Sequence, residues 1–431
     1  MAGRMLSARR TFGGGSRFTW LVDVETGGET VPLVLRVESG EGAFAGTVLT
    51  LSREAIFYRA LQATSVRMPV LFGVAPDGGA LLMSRAPGTS EFHRLSEVDA
   101  RSALDDFVDV LAALHRIPVD TLDLAGIAAP VNVAEHATHE LDLWEGLAST
   151  CADIDPEIVF ALAWLRTHAP LEVARTSVVQ GDTGPGNFMV DGGSVTAVID
   201  WEFAHVGDPV DDVAWFVFRA TGRSGAVGQD QIALLLSRYE RAAGYRIDPA
   251  SLDYYGVFVQ VRCAVTTAMT IAHGGGAMGL YGYQVAHRRF VRSALQAIAD
   301  ASSVVVAPPD RPRTMATSNT PAFDEALTEL RDGVIGSLRG ESKLHARSVE
   351  TLIGHLRARD LIGDTVARAN ASERAAVFGA CPVDGLSGDD DFRRHVRQAG
   401  AAADPKVLGC LLRSAIRSEW LWTDVAEGEA T

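Results

Sequence analysis

The stretch from Val178 to Asp212, VVQGDTGPGNFMVDGGSVTAVIDWEFAHVGDPVDD, constrains this chain more than any other. Gly181, Gly184, Pro185 and Gly186 make a tight loop between Asp182 and Asn187. Two short apolar strands follow, Phe188 to Val190 and Val195 to Ile199, joined by a DGG turn at Asp191 to Gly193. Strands joined by so short a turn pair antiparallel, with residue numbers summing to about 385. Asn187 therefore faces a residue near 198 or 199, and Asp200 lies beside it at the open end. One edge collects two carboxylates and an amide oxygen.

That set suits a particular chemistry. Mg²⁺ takes oxygen ligands in this style, one or two carboxylates with waters and substrate phosphates completing an octahedron. Asn187 and Asp200 are the candidate ligands. Asp182 is then free to orient and deprotonate a hydroxyl that attacks a γ-phosphorus, since in-line phosphoryl transfer needs little beyond positioning and charge neutralisation.

Composition narrows the field. Against 39 Lys and Arg stand 54 Asp and Glu, a formal charge of −15. Such a chain lacks the basic face that binds a phosphate backbone, so nucleic acid is not an expected partner. The only lysines are Lys343 and Lys406, which excludes a P-loop, with its obligatory lysine, from everything before them. The cysteines Cys151, Cys263, Cys381 and Cys410 include no CxxC pair and suit a reducing cytosol. The opening MAGRMLSARRTFGGGS has no signal-peptide core, and no run approaches the ~20 apolar residues of a membrane span. The expectation is a cytoplasmic protein with no membrane partner.

With 431 residues the chain should hold two or three compact units. Residues 1–90 read as a small sheet with one helix: strands Phe18–Val24, Val31–Val37, Pro69–Val74 and Ala80–Met83, and a helix Ser52–Gln62 with Ser52 as N-cap. Residues 91–305 are largely helical. Ser96 and Asp99 resemble a capping box, followed by Leu104, Phe107, Val108, Leu111, Leu114 and His115 on one face. Another helix is expected over Asp155–His168. Residues 306–321, with four prolines between 308 and 321, read as a linker. Residues 322–431 read as a separate helical domain. It includes an amphipathic helix with Leu344, Val349, Leu352, Ile353 and Leu356 at helical spacing.

The D-x-x-x-x-N pattern at Asp182 to Asn187, with Asp200 downstream, resembles the protein-kinase catalytic arrangement. The longer GDTGPGN…VIDWEFAHVGDPVDD resembles the aminoglycoside phosphotransferase (choline-kinase-like) family, over about residues 8–300. It is most similar to phosphotransferases related to kinase domains linked with acyl-CoA dehydrogenases. The resemblance implies an α+β, bilobal protein-kinase-like fold with a strand-rich N-lobe and a helical C-lobe, here with an appended helical domain. It implies an ATP- and Mg²⁺-dependent O-phosphotransferase, with Asp182 as catalytic base and Asn187 and Asp200 as metal ligands. Either Asp211 or Asp212 would be a buried structural carboxylate. Gly13, Gly14, Gly15 and Ser16 would cover the nucleotide phosphates. Arg36 would replace the usual strand lysine, with Glu54 as its helix partner. Met83, Ser84 and Arg85 would form the hinge beside the adenine. The family usually has His where this chain has Gln180, which keeps a donor and an acceptor.

Other signals point elsewhere less well. GGGAMG at Gly274 to Gly279 has no βαβ context for dinucleotide binding and reads as a helix–helix loop. His136, His139 and Glu140 lack HExxH spacing and read as a solvated helix face; Trp201 and Trp215 read as core. The acceptor is a small-molecule hydroxyl. Arg262, Arg288, Arg289 and Arg292 favour an anionic one, and the resemblance points to a hydroxyacyl-CoA. The alternatives are an aminoglycoside-type antibiotic, or a pseudokinase-like scaffold suggested by Gln180 and the helical domain. Dimerisation or partner docking through residues 322–431 is a further expectation.

Overall fold

The computed structural model describes residues 3–11, 17–40, 42–132, 135–222, 227–274, 279–379 and 390–423. In chain order they form β1 (Arg4–Arg10), β2 (Arg17–Thr26), β3 (Glu29–Glu38), α1 (Leu51–Leu61), β4 (Leu71–Val74), β5 (Ala80–Ser84), α2 (Glu97–His115), α3 (Glu135–Ser149) and α4 (Pro156–Thr167). Next come β6 (Ser177–Val179), β7 (Phe188–Asp191), β8 (Ser194–Val198), β9 (His205–Gly207), α5 (Val210–Thr221), α6 (Gln229–Ala243), α7 (Pro249–Ala272) and α8 (Gly279–Ala301). The C-terminal helices are α9 (Thr320–Thr328), α10 (Gly340–Ala358), α11 (Asp364–Phe378), α12 (Asp390–Ala401) and α13 (Pro405–Thr423).

The chain divides into two compact units, residues 1–140 with 169–259, and residues 141–168 with 260–431. The division does not fall at residues 306–321. Residues 304–319 do run without regular structure, but they are pinned within the second unit: Met315 N–H donates to Leu361 O at 3.1 Å and Thr317 Oγ1 to Asp360 at 2.7 Å. Helices α4 and α8 share that unit with α9–α13 because α12 packs on α4 and α13 on α8.

In the first unit, a sheet of order β1-β2-β3-β5-β4 is antiparallel throughout. The N-cap of helix α1 lies two residues before the expected Ser52. Thr50 is the N-cap, accepting from Arg53 N–H at 3.2 Å, and the helix buries Leu51, Ala55, Phe57, Tyr58 and Leu61. Helix α2 starts as expected, with Ser96 Oγ accepting from Asp99 N–H at 3.1 Å. Its apolar face carries Phe107, which stacks on Phe188 of β7 (ring centroids 4.3 Å apart) and on Phe216 of α5. This aromatic column seats the β7–β8 hairpin. The hairpin turn uses Gly192 and Gly193 at φ of 53° and 75°, the left-handed pair that matches strand twist. Trp201 and Trp215 are buried core residues, as expected.

By length and composition α7 would reach across a membrane, against the expectation of no such run. Yet 61% of its apolar window is buried inside the protein, as in a core helix.

Asp208, after β9, is buried beside Asp211, and burial pushes its carboxyl up to about 7. A carboxyl raised above its unfolded value contributes stability at low pH that is lost as pH rises through the folded value. Asp208→Asn should therefore gain melting temperature relative to the parent between pH 5 and pH 8, read by scanning calorimetry at both. A constant offset would mean that Asp208 is not protonated in the fold.

Candidate active site

The loop between β6 and β7 carries Gln180 to Asn187. Gly181 sits at φ +85°, and a Cβ there would lie 2.4 Å from the carbonyl oxygen of Phe203, so only glycine lets the two segments meet. Asn187 Nδ2 donates to the Asp182 carbonyl at 2.7 Å and to its Oδ2 at 2.6 Å. The hairpin register sums to 385 at the turn and to 386 beyond a bulge at Met189/Val190. Ile199 N–H consequently donates to Asn187 O at 2.9 Å, which sets Asp200 next to Asn187. Asp200 is held at φ +61°, a left-handed conformation that Asp tolerates at some cost.

From the sheet side, Arg36 on β3 reaches its expected partner Glu54 and also Asp200, which sequence reading had not paired with it. Its Nη1 pairs with Glu54 of α1, and its Nη2 donates to Asp200 Oδ1 at 2.9 Å. Burial works against the guanidinium, but Glu54 and Asp200 outweigh it and hold the group above its ordinary range. Arg36 is a permanent cation.

Gln180 uses both ends of its amide: Oε1 accepts from Asp182 N–H at 2.9 Å, and Nε2 donates to Ile199 O at 3.0 Å and to Asp200 O. It links the Asp182 loop to the Asp200 segment. Of the two candidate structural carboxylates, Asp212 takes the role. Fully buried at the start of α5, it accepts from Gln180 and Gly181 N–H, both at 2.8 Å, and stands 3.0 Å from His115 Nε2. His115 also contacts Tyr239 OH at 2.6 Å, so it is packed at a helix end, away from chemistry. Asp211 instead lies 3.4 Å from His205.

Sequence reading missed two features. Arg219 on α5 forms a two-pronged ion pair with Asp182, Nε donating to Oδ1 at 2.7 Å and Nη2 to Oδ2. It stands seven residues after Asp212 and four after Trp215, one face of one helix, which was the available signal. Burial raises the Asp182 carboxyl above its ordinary value while Arg219 pulls it down. Arg17, directly after the glycine-rich segment, pairs with Glu202, two residues beyond Asp200.

Gly13, Gly14, Gly15 and Ser16 lie outside the described residues. At the expected hinge, Met83 is buried and Ser84 Oγ accepts from Val70 N–H at 2.8 Å. Arg85 is committed to the sheet: its N–H donates to Pro32 O at 3.2 Å, and its guanidinium reaches Val22 O and Asp23. His136 and Glu140 are buried instead of solvated, His136 lying 2.7 Å from Thr176 Oγ1 and Glu140 3.8 Å from His205. The neighbouring segment of the first unit covers that face of α3. The GGGAMG loop lies mostly outside the described residues. Among the described residues no three His, Cys, Asp or Glu side chains cluster to hold a metal.

Asp182 in the loop, Asn187 and Asp200 at the open end of the hairpin, and a sheet cation clamped by a helix glutamate resemble the arrangement of kinase-like phosphotransferases, with arginine standing where kinases place lysine. A family model described as the phosphotransferase enzyme family matches residues 9–255, and the chain belongs to that family. It is an ATP-dependent phosphotransferase with an alcohol group as acceptor. Solved structures agree on the fold. A Ralstonia eutropha JMP134 protein assigned as an aminoglycoside phosphotransferase superposes with a TM-score of 0.55 at 22% identity, covering 70% of this chain and 94% of that one. Choline kinase LicA from Streptococcus pneumoniae gives 0.50 at 16% identity, covering 68% and 94%. No curated protein matches the chain.

Proposed function

We propose that this enzyme moves the γ-phosphoryl group of Mg-ATP to a hydroxyl of a small metabolite, with Asp182 as base and Asn187 and Asp200 as the metal-binding side chains. The observation carrying this reading is the hairpin register that sets Asp200 next to Asn187. The donor set fits a hard divalent cation. Asn187 commits its amide N–H to Asp182, and Asp200 commits one oxygen to Arg36. Each retains an oxygen with no hydrogen bond among the described residues. Bound there, Mg²⁺ would neutralise charge on the β- and γ-phosphates.

The chain's own residues do the rest. Asp182 accepts the acceptor hydroxyl's proton. Its burial strengthens its hold on that proton, and Arg219 keeps the carboxylate oriented. Arg36 supplies a fixed positive charge for nucleotide phosphates, pre-set by Glu54. Gln180 keeps the base and the Asp200 segment in register.

Arg219 is a positioning residue. Arg219→Met removes the charge that holds the Asp182 carboxyl down, so the acidic limb of the kcat/KM profile should move to higher pH. Turnover at the optimum should fall about ten- to a hundredfold through lost orientation. A limb that stays in place would mean that Arg219 does not act on the base.

The acceptor we place first is a hydroxyacyl-CoA, a choice resting on the resemblance to acyl-CoA dehydrogenase-linked kinases; an aminoglycoside is the alternative. The arginines do not add to it: Arg288 pairs with Asp155, Arg289 and Arg292 pair with Glu419, and Arg262 is buried. All four belong to the second unit. A panel of hydroxyacyl-CoAs and aminoglycosides with Mg-ATP, read by product mass, decides between them. Nucleotide binding without turnover of any acceptor would favour the scaffold reading.

A further inference from the structure

We propose that the second unit holds a ligand site of its own, a cavity at the N-terminus of α4 that takes a small oxyanion, a carboxylate or a tetrahedral anion such as phosphate. The cavity measures about 270 Å³ and is lined by Asp155 and Glu157 at the start of α4, Arg288 on α8, Asn370 and Arg374 on α11, and Ser418 on α13, among others. All of these residues lie within one compact unit.

The lining offers donors that the protein leaves unused. Arg374 forms no ion pair among the described residues, and its Nε is buried without a partner; so is the Nε of Arg288. Asn370 accepts through Oδ1 from Arg417 at 2.9 Å, which leaves its amide N–H₂ as a donor. Buried donors without acceptors are costly to leave unmet, and a helix N-terminus adds positive potential in the same direction.

The acidic residues do not oppose an anion. Asp155 is already saturated, one oxygen 2.6 Å from His287 Nε2 and the other accepting from Arg288 Nη1 at 2.8 Å. Despite burial, these partners hold it well below the usual carboxylate range. Glu157 is different. Only 7% exposed, its carboxyl has no side-chain hydrogen bond among the described residues, and burial together with Asp155 pushes it up to about 7. Protonated, Glu157 becomes one more donor facing the cavity. The titratable and charged groups acting on or with it are Asp155 on its own element, Arg288 on α8, Arg374 on α11 and Cys410 on α13.

Anion binding then carries a proton onto Glu157, and affinity falls as pH rises through about 7. The test is calorimetric titration of the full chain with sodium sulfate, whose charge is constant from pH 6 to pH 8, at fixed ionic strength, with sodium acetate in parallel. Saturable binding of sulfate alone assigns a tetrahedral anion, and of acetate alone a carboxylate. Binding should tighten about tenfold from pH 8 to pH 6 and weaken at least about tenfold in Arg374→Ala. Glu157→Gln, which keeps shape and folding, should bind at pH 8 as the parent does at pH 6, with no pH dependence. Absence of saturable binding of both anions, or a folded Arg374→Ala with unchanged affinity, or a Glu157→Gln profile identical to the parent's, would overturn the proposal.

Discussion

Asp182→Asn should lower the rate of phosphoryl transfer by about 10²–10⁴-fold while leaving affinity for a non-hydrolysable ATP analogue within about twofold. The substitution keeps the side chain's size and its contact with Asn187, but the amide takes up no proton. The carboxylate is buried and gripped by Arg219 and Asn187, so its position is specific to this side chain. Asp200, the nearest acidic residue acting on it, is engaged with Arg36. Initial rates with the best acceptor, beside thermal shift with nucleotide, make the measurement. Undiminished turnover would remove Asp182 from the chemistry.

The second large effect is on stability. Asp212→Ala should destabilise the first unit by about 3–5 kcal/mol, the cost of breaking a buried charged network. Two backbone N–H groups and His115 lose their shared acceptor at once, and none of them reaches water. At roughly 2–4 °C per kcal/mol for a unit of this size, the melting transition should fall by about 6–20 °C. Asp212→Asn, which retains one acceptor oxygen, should fall by less. Since the two N–H groups belong to the residues immediately before Asp182, both variants should also lose activity beyond what the melting shift explains. An Asp212→Ala protein with parental melting behaviour would show that Gln180 and Gly181 are held by something else.

The local chemistry was legible because hairpin pairing and loop glycines act over a few residues. Asp182, Asn187 and Asp200 come together as their spacing implied, Arg36 and Glu54 pair as the family resemblance implied, and the register error was a single residue, introduced by the bulge at Met189/Val190. Helix α10 shows the opposite case. Its apolar residues Leu344, Val349 and Leu356 are 39–45% exposed, whereas Ser348, Glu350, Gly354 and Ala358 are buried. Small residues let α10 approach α8 closely: a Cβ on Gly279 would lie 2.6 Å from Ser348. Arg331 and Arg347 neutralise Glu350. Periodicity counts apolar residues and is blind to a face chosen for closeness or for ion pairing.

Residue order along 35 positions, Val178 to Asp212, was thus enough to specify a hairpin with two carboxylates and an amide at its mouth, since each contact there closes a short loop at little entropic cost. Where the chain divides, which of Asp211 and Asp212 carries the loop, how Arg219 grips Asp182, and why Glu157 is left without a side-chain hydrogen bond are settled by packing between distant segments. Such contacts depend on which surfaces exclude water together, and one-dimensional spacing carries no record of that.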